Sequence, residues 1–428
     1  MWQEKIETMP RKELEALQLQ RLKWSVGRAY AHVPYYRAKM EKQGIVPEKI
    51  KQLSDLCYLP YTTKADLQQC YPYGSFAVPR KELVRIQGSS GTTGKPTLVG
   101  YTRQDLENWR DMVARVIMAA GVNSDDVAQI AFGYGLFTGA LGLHQGLERI
   151  GALVVPLSSG NTERQLMLME DLQVSVLVST PSYAYYLAEL IEERGLKERL
   201  NLRIGLFGSE GCSLEMRNSI EKRTGIFVTD NYGMSELIGP GVAGECHLRQ
   251  GLHVAEDHFI PEVISTKNQG PVEDGKVGEL VMTSLTKEAM PVIRYRTGDL
   301  TRLHMEPCAC GRTHARIEKL KGRLDDMIII KGVNVFPGQI EYAIRGVEGL
   351  SPQYMLIAYR DGVMDALEVQ IETKMPLRTM SRIECDRIKK IVAERLRSVI
   401  GLRVKITLLS PKSLERTQGK SRRVVDLR

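Results

Sequence analysis

The chain lacks several features that would assign it to a membrane or secreted class. None of its apolar runs approaches the roughly 18 residues that a transmembrane helix needs. The first residues, MWQEKIETMPRKELEALQLQRLKW, contain acids instead of the apolar core of a secretory signal. The seven cysteines are odd in number and scattered, which argues against a disulfide framework and favours a reducing compartment. We therefore expect a globular cytoplasmic protein with no membrane partner.

Two catalytic signatures are also missing. In the stretch IQGSSGTTGKPTLVGYT, residues 86–102, Ser89 replaces the first glycine of a P-loop and Pro96 replaces its Ser/Thr. No G-x-S-x-G elbow is present to supply a serine nucleophile. What remains is a glycine- and hydroxyl-rich loop with Lys95, whose N–H, hydroxyl and ammonium groups could surround phosphates. A solvated Gly/Ser turn is the alternative interpretation.

The positive charge of the chain is concentrated near its end. Residues 326–428 contain 19 Lys and Arg against 12 Asp and Glu, a net charge of +7 out of the chain's +8. Such an excess favours an anionic partner. No interleaving of aromatic and basic residues typical of nucleic-acid motifs accompanies it. A phosphorylated small molecule is therefore the preferred partner, and nucleic acid is not expected.

The order of patterns along the chain predicts an α/β fold with two units. Residues 1–80 read as mostly helical, and from Val84 short apolar stretches alternate with helical ones, which indicates a parallel sheet in layers. From about Gly251 the pattern is β-rich, and the last hundred residues resemble a small α+β unit. We predict an N-terminal domain over 1–322, a hinge at 323–325 and a C-terminal lid over 326–428. Ligands of such sheets bind at the carboxyl ends of the strands.

Four further stretches contain chemistry-bearing residues, each with an ordinary alternative. DNYGMSE, residues 230–236, is expected to form a loop with a carboxylate that could bind magnesium, although Ser-Glu often only caps a helix. YRTGDL, residues 295–300, is expected to present Asp299 at a turn, where it could accept hydrogen bonds from ribose hydroxyls. GRLDDMIIIKGVNVFPGQIE joins a charged turn to an apolar strand, and TQGKSRR places Lys420 in a polar tail, where a lysine is normally only solvated.

The set and its order are more informative than any single stretch. A hydroxyl-rich Gly-Lys loop, YGxSE, YRTGDL, GRxDD and a near-terminal Gly-Lys together resemble the acyl-adenylate-forming superfamily from about Val84 onward. The stretches YGMSELIGPGVAGEC, EDHFIPEVI, PVIRYRTGDL and CACGRTHARI look like the phenylacetate–coenzyme A ligase family in particular. The resemblance implies a large multi-layer AMP-binding domain followed by a small mobile lid.

The resemblance also implies roles for individual residues, which we state as expectations. The ATP phosphates would contact Ser89, Ser90, Gly91, Thr92, Thr93, Gly94 and Lys95. The adenine would be lined by Ser209, Glu210, Gly211, Asn231 and Tyr232, within a nucleotide-binding set that also includes Gly233, Met234 and Ser235. The ribose would be held by Asp299 with Arg323, and the magnesium ion by Glu236.

The remaining roles concern the acid and the second half of the reaction. Lys420 would contact the carboxylate and the α-phosphate during adenylation. Asp325 would be the hinge, and Gly332 would face the coenzyme A arm. The acyl pocket would be bordered by Tyr134, Phe137, Gly139, Ile238, Gly239 and Pro240.

These roles imply an ATP- and Mg²⁺-dependent ligation of a small aryl carboxylic acid, phenylacetate or a similar acid, to coenzyme A. An acyl-adenylate forms with release of pyrophosphate, and a thiol then displaces AMP. Negative charge gathers in the adenylation transition state, so cations are the main catalytic tools. One alternative is a synthetase that adenylylates a cofactor without coenzyme A, and another is a non-catalytic nucleotide-binding regulator. Glu236 and Lys420 argue against the regulator. A homodimer is compatible with the sequence, which does not define the oligomeric state.

Cysteines and histidines form a separate group. Five of the seven histidines and three of the seven cysteines lie between 246 and 314. Cys246, Cys308 and Cys310 with His253 could hold a structural zinc tetrahedrally, and His247 is the rival fourth ligand. The Cys-x-Cys spacing is tighter than the usual two residues, but such zinc sites occur in some proteins that resemble phenylacetate ligases. Reduced, partly buried thiols are the alternative.

Overall fold

The computed structural model describes residues 1–89, 96–273, 275–324, 328–330, 333–361, 364–416 and 423–428. Several predicted site residues lie outside these ranges, so their predicted roles are not examined by the structure. They are Ser90, Gly91, Thr92, Thr93, Gly94, Lys95, Asp325, Gly332 and Lys420.

The helices follow the local sequence signals. Within the described residues the α-helices are α1 (Glu4–Glu7), α2 (Arg11–His32), α3 (Pro34–Lys42), α4 (Lys64–Gln69), α5 (Arg103–Ala119), α6 (Gly139–Ile150), α7 (Thr162–Asp171), α8 (Pro181–Glu193), α9 (Leu214–Thr224), α10 (Pro337–Ile344) and α11 (Arg382–Ile400). Short 3₁₀ helices span Pro47–Lys49, Leu53–Tyr58, Arg80–Glu82, Lys197–Arg199 and Leu377–Thr379. The start of α5 is fixed by a reciprocal capping box between Thr102 and Asp105, and α6 ends at Gly151 in the left-handed conformation.

The strands divide into a parallel set, an antiparallel set and a C-terminal set. They are β1 (Arg85–Gly88), β2 (Leu98–Tyr101), β3 (Val127–Ala131), β4 (Leu153–Val155), β5 (Val176–Ser179), β6 (Ile204–Gly208), β7 (Phe227–Met234), β8 (Gly239–Glu245), β9 (Leu252–Val254), β10 (Phe259–Ile264), β11 (Gly278–Ser284), β12 (Tyr295–Thr301), β13 (Leu303–His304), β14 (Arg316–Ile317), β15 (Gly322–Arg323), β16 (Ile328–Ile330), β17 (Val333–Val335), β18 (Leu350–Asp361), β19 (Met364–Thr373), β20 (Lys405–Leu409) and β21 (Val424–Asp426).

A nine-stranded sheet in the order β13-β14-β9-β8-β7-β6-β5-β3-β4 organises the N-terminal unit. From β4 to β7 its neighbours are parallel, whereas β8, β9, β14 and β13 add antiparallel strands. One buried cluster packs α5 and α6 against this sheet, and a second packs residues of α7, α8 and α9 against it. Helices therefore cover the sheet with two separate apolar cores, as the strand–helix alternation predicts.

The antiparallel sheet β10-β11-β12-β15 belongs to the same unit and brings residues 259–323 beside the main sheet. The α2–α3 region packs on its outer side through a cluster that includes Leu22, Tyr36 and Ile293. No helix among the described residues has the length and apolarity needed to cross a bilayer.

The C-terminal unit has a core of its own. Its sheet has the order β20-β19-β18-β21, with β18 and β19 antiparallel and the two outer strands parallel to their neighbours. All members of its buried cluster lie between Ile328 and Leu408. The predicted α/β class with a smaller α+β unit is therefore confirmed. The boundary at 322 and the hinge at 323–325 remain predictions.

Two local expectations were wrong. Asp299 lies inside β12, paired with Arg323 of β15, and not at a turn. Residues 230–234 continue β7 and pair with β8, so DNYGMSE is not a single loop. In both cases glycine and polar residues suggested a turn, but partner strands supplied hydrogen bonds that kept the backbone extended.

Candidate active site

The carboxyl ends of β6 and β7 bring the predicted adenine-binding residues together. The two strands are parallel neighbours, with Gly208 opposite Asn231. A Cβ atom at Gly208 would lie 2.6 Å from the Asn231 carbonyl oxygen, so this close approach requires glycine. The Asn231 amide donates to the Phe207 carbonyl oxygen at 2.6 Å. The backbone therefore fixes Asn231 at this edge of the sheet.

The turn after β6 is tied to the start of α8. Ser209 has φ of +74°, a left-handed conformation that is uncommon outside glycine. The Glu210 carboxylate accepts a hydrogen bond from the Ser182 N–H at 2.7 Å, in the first turn of α8. An acid at this position satisfies a free helix N–H group and stabilises the helix dipole. The predicted residues Ser209, Glu210 and Gly211 thus occupy a fixed turn beside Asn231.

Tyr232, Asp299 and Arg323 form a buried constellation from three different strands. The Tyr232 hydroxyl donates to Asp299 Oδ2 at 2.7 Å, and Arg323 Nη1 donates to Asp299 Oδ1 at 2.8 Å. Burial and the Asp299 charge raise the pKa of Tyr232 well above its usual range, so the phenol remains a donor. Tyr232 and Arg323 thereby fix the orientation of the Asp299 carboxylate.

The Glu236 carboxylate lies just beyond β7, and the residue is almost fully buried. Beside it the side chain of Lys287 is buried and donates to the Glu236 carbonyl oxygen at 3.2 Å. Burial lowers the pKa of Lys287 to about 8, although Asp105 and Glu236 oppose this effect. Glu236 therefore places a buried carboxyl group beside Lys287, and carboxylate oxygens are the ligands that Mg²⁺ prefers.

The segment 134–139 contacts both the end of β1, where the predicted phosphate loop begins, and the residue that follows β7. The Gly88 N–H donates to the Leu136 carbonyl oxygen at 2.8 Å, and the Gln87 amide donates to the Phe137 carbonyl oxygen at 2.8 Å. On the other side, the hydroxyls of Thr138 and Ser235 lie 3.2 Å apart. The beginning of the Gly-Lys loop, residues 134–139 and the end of β7 are thereby neighbours. Ser89 is the last described residue before the rest of this loop, and it is half-buried.

The segment Ile238–Pro240, predicted to border the acyl pocket, is held by two stacked aromatic rings. Tyr101 and Trp109 stack with ring centroids 5.2 Å apart. The Tyr101 hydroxyl donates to the Ile238 carbonyl oxygen at 2.9 Å, and the Trp109 indole donates to the Pro240 carbonyl oxygen at 2.7 Å. Gly239 has φ of +120°, and a Cβ atom there would lie 2.4 Å from Trp109. The shape of this border therefore depends on glycine at 239.

Tyr134 and Gly139 are also predicted to border the acyl pocket. The Tyr134 hydroxyl and His144 Nδ1 are 2.9 Å apart, and His144 in turn faces Glu148. Burial raises the pKa of Tyr134 well above its usual range, so its hydroxyl stays protonated. Gly139 begins α6, and a Cβ atom at this position would overlap the Phe132 ring at 2.4 Å.

The cysteine–histidine group is assembled as predicted with His253. The ligand atoms of Cys246, His253, Cys308 and Cys310 all lie within 4.8 Å of one another. Cys246 Sγ and Cys308 Sγ are 4.0 Å apart, and Cys310 Sγ lies 3.6 Å from His253 Nε2. A Zn–S bond of about 2.3 Å implies tetrahedral edges of about 3.8 Å, so the four atoms fit a zinc ion. His247, the rival ligand, is exposed and outside this group.

The surroundings of this group favour a thiolate. Burial alone would raise the pKa of Cys310, but hydrogen bonds from His253 and Arg312 outweigh it and lower the pKa to about 5. By contrast, burial raises the pKa of Cys246 to about 12. Arg312 is itself held by Glu7 of α1 at 2.7 Å. A bound metal ion would also displace the proton of the Cys246 thiol, because only thiolates are good zinc ligands.

Sequence reasoning missed Lys287, Thr138 and the Tyr101–Trp109 stack. Lys287 stands in the stretch LTKEAMPV, where a lysine next to apolar residues is the weak signal that could have been used. The loop that carries Lys287 is attached to α5, because Asp105 accepts hydrogen bonds from Glu288 N at 2.7 Å and from Ala289 N at 2.9 Å. Such long-range contacts leave no trace in local spacing.

Comparison with known proteins adds evidence along the whole chain. The model of the AMP-binding enzyme family matches residues 8–286, and that of the AMP-binding enzyme C-terminal domain matches residues 332–428. The phenylacetate–coenzyme A ligase of Escherichia coli is 47% identical, with 99% of this chain and 97% of the relative covered. The phenylacetate–coenzyme A ligase of Thermus thermophilus is 45% identical, with 100% of both chains covered.

This chain is also similar to a ligase whose structure is known in two states. A 2-hydroxyisobutyryl-CoA ligase bound to R3-HIB-AMP in the postadenylation state is 29% identical, with a TM-score of 0.91 over 99% of this chain and 92% of that chain. In the thioesterification state with 2-HIB-AMP and CoA, the ligase is 30% identical and has a TM-score of 0.73, over 99% of this chain and 91% of that chain.

Proposed function

Because the chain belongs to the AMP-binding enzyme family, we propose that it ligates phenylacetate or a closely related small aryl acid to coenzyme A through an acyl-adenylate. ATP supplies the adenylyl group, and AMP and pyrophosphate are released. The observation that carries this proposal is the Tyr232–Asp299–Arg323 constellation at the nucleotide edge of the sheet, in a chain that resembles phenylacetate–coenzyme A ligases over its full length.

The nucleotide would bind across the ends of β6 and β7. Asn231 and the turn of Ser209, Glu210 and Gly211 would line the adenine, and Asp299 would accept hydrogen bonds from the ribose hydroxyls. Tyr232 and Arg323 orient this carboxylate by donating one hydrogen bond to each of its oxygens. Because these donors are already in place, the enzyme loses little free energy in ordering the site when ATP binds.

Charge in the adenylation step would be balanced by three groups from different parts of the chain. Glu236 would hold Mg²⁺, which supplies charge stabilisation at the phosphates when it is bound. Lys95 and Lys420, which lie outside the described residues, would contact the phosphates and the reacting carboxylate. Lys287 would fix the backbone at Glu236 through its hydrogen bond to the carbonyl oxygen.

The acid would occupy the space between Ile238–Pro240 and Tyr134–Gly139. The Tyr101–Trp109 stack holds one border, and the Tyr134 hydroxyl adds a polar group at the other. A mostly apolar pocket with one polar group suits an aryl acid whose carboxylate faces the phosphates. After adenylation, a coenzyme A thiol would attack the acyl-adenylate, with Gly332 of the C-terminal unit near the coenzyme A arm.

We also infer that Cys246, His253, Cys308 and Cys310 hold a structural zinc ion. Four protein ligands would complete a tetrahedral site, so no coordination position would be left for chemistry. The ion would connect the end of β8 and strand β9 to the loop that precedes β14. Compartment follows the sequence-based expectation of the cytoplasm, where thiols stay reduced.

Pyrophosphate and thioester formation should be measured across a panel of carboxylic acids, with and without coenzyme A. We expect phenylacetate to give the highest kcat/KM and coenzyme A thioester to accumulate with AMP. Pyrophosphate release without any thioester product would favour the alternative of adenylyl transfer to a cofactor. Absence of pyrophosphate release with every acid would favour the nucleotide-binding regulator and contradict the proposal.

A further inference from the structure

Helix α8 of the N-terminal unit makes ionic contacts with the C-terminal unit. Glu193, the last residue of α8, accepts from Lys412 Nζ at 3.0 Å. One turn earlier on the same helix, Glu189 Oε2 lies 3.7 Å from Arg416 Nε. Both cations follow β20. No predicted role uses these contacts.

Arg416 is held firmly on its own side of the contact. Its guanidinium donates two hydrogen bonds to the Glu372 carboxylate, at 2.8 and 2.7 Å, and Glu372 is buried at the end of β19. Glu372 also accepts from the Leu414 N–H at 2.8 Å. Bidentate pairs of this kind are strong and geometrically specific. Arg416 therefore presents a cation at a fixed position to α8.

Glu189 meets this cation without completing a hydrogen bond. Its carboxylate lies between Arg416 and Arg223 of α9, at 3.7 and 3.8 Å. Glu189 Oε2, Arg416 Nε and Arg223 Nη1 are buried and have no hydrogen-bond partner among the described residues. Burial raises the pKa of Glu189, although the two arginines oppose this effect. Glu189 and Arg416 attract one another across the interface without a hydrogen bond, so among these contacts only the hydrogen bond from Lys412 to Glu193 would have to break for them to separate.

The overall arrangement of the chain agrees with one of two states of a relative. Over 99% of this chain, the TM-score is 0.91 with the 2-hydroxyisobutyryl-CoA ligase in its postadenylation state and 0.73 with the ligase in its thioesterification state. The contacts of α8 with Lys412 and Arg416 therefore belong to an arrangement like the first of these two structures.

We propose that Glu189 and Glu193 are positioning residues for the adenylation half of the reaction. They hold Arg416 and Lys412, and through these the segment that leads to Lys420, while the acyl-adenylate is made, and they release both cations for thioester formation. Lys420 follows Arg416 by four residues, and four residues span at most about 14 Å. Fixing Arg416 thus limits where Lys420 can lie. This inference rests on the proposed function, because it assigns the two carboxylates to one half-reaction.

The test uses the full chain with both carboxylates replaced, Glu189→Gln with Glu193→Gln. Phenylacetyl-adenylate formation from ATP and acid, and thioester formation from supplied phenylacetyl-adenylate and coenzyme A, are timed in separate single-turnover experiments. We expect the first rate to fall by about five- to thirty-fold, the factor that corresponds to one or two kcal/mol. The second rate should stay unchanged or rise.

A matched control is Glu163→Gln. This substitution removes the charge and one acceptor oxygen of a carboxylate that accepts two hydrogen bonds from Arg194, at 2.7 and 2.6 Å, within the N-terminal unit. It removes an ion pair of the same chemistry that does not reach the C-terminal unit, so both half-reactions should keep their wild-type rates. Equal slowing of both half-reactions by the double variant, or the same rates in double variant and control, would overturn the proposal.

A charge exchange gives a second test. Glu193→Lys should slow adenylation because it places two ammonium groups together, and adding Lys412→Glu should restore the rate. Failure of the exchanged pair to restore the rate would show that these side chains do not act through each other.

Small-angle X-ray scattering separates failure of this inference from failure of the proposed function. If the wild-type protein forms no adenylate with any acid, the proposed function is wrong, but the scattering experiment still applies. The double Glu→Gln variant should scatter as a more extended or more varied particle than the wild type and the Glu163→Gln control. Identical profiles for all three proteins would contradict the inference.

Discussion

The cysteine–histidine group and the contact between α8 and the C-terminal unit both join residues far apart in sequence, but by opposite means. In the first, the ligand atoms of four mostly buried side chains converge within 4.8 Å inside the N-terminal unit. In the second, the side chains of Lys412 and Glu193 remain 50% and 59% exposed. In the neighbouring pair, Arg416 Nε and Glu189 Oε2 are 3.7 Å apart.

The difference shows how side-chain chemistry can make one contact permanent and allow another to break and re-form. A metal site with four protein ligands contributes its binding free energy to folding, and its loss is costly. An exposed ion pair contributes about 0–1 kcal/mol and re-forms readily. The first arrangement suits a connection within one unit that should never open. The second suits a contact that breaks and re-forms, as we propose for the two units.

The largest expected effect comes from removing one ligand of the metal group. Cys308→Ser should lose bound zinc and lower Tm by at least about 10 °C, because metal-binding free energy is folding free energy. Elemental analysis and calorimetry measure the two effects. Cys57→Ser is the matched control, since Cys57 is an exposed thiol outside the group. Full-length protein that contains no zinc when purified without chelator would break the comparison.

A second, smaller effect concerns how the free energy of unfolding depends on pH, and it involves the buried residues Asp257, Arg115 and His258. Asp257 accepts two hydrogen bonds from Arg115, at 2.6 and 3.0 Å, and lies 3.2 Å from His258. Burial lowers the pKa of His258 to about 4, so between pH 4 and 6.5 the unfolded chain binds a proton that the folded chain does not. Acidification through this window should therefore reduce the free energy of unfolding, by up to about 3 kcal/mol.

Denaturant unfolding at several pH values measures this loss. His258→Gln should flatten the dependence between pH 4 and 6.5, leaving the part that His314 contributes, because burial lowers the pKa of His314 too. An unchanged pH dependence in His258→Gln would mean that another group titrates in this window.

The smallest expected effect concerns salt and the C-terminal unit, which carries most of the net charge of +8. Coenzyme A is polyanionic, so its KM should rise several-fold between low and physiological ionic strength, more steeply than the KM of the acid. Steady-state kinetics with each substrate varied at several salt concentrations give both slopes. If the KM values of coenzyme A and of the acid depend equally on salt, the basic residues serve another partner. The zinc content of the protein should not change with salt.

Much of the fold followed from local patterns. The alternation of short apolar and helical stretches from Val84 onward predicted the parallel strands from β3 to β7 and the helices between them. Asp299 did not follow, because its place inside β12 depends on pairing with β11 and β15, which are distant in sequence. The burial of Lys287 was missed for the same reason.

The sequence by itself determined the residue types and their order, and these predict a phosphate loop, a ribose-binding acid, a catalytic near-terminal lysine and a metal site with three thiols. Only the tertiary structure decided which of these groups meet. It selected His253 over His247 beside the cysteines, directed Tyr232 and Arg323 to the two oxygens of Asp299, and set Glu189 opposite Arg416. The physical reason is that hydrogen bonds and ion pairs act over a few ångströms, and strand register and packing alone bring residues tens to hundreds of positions apart to that distance.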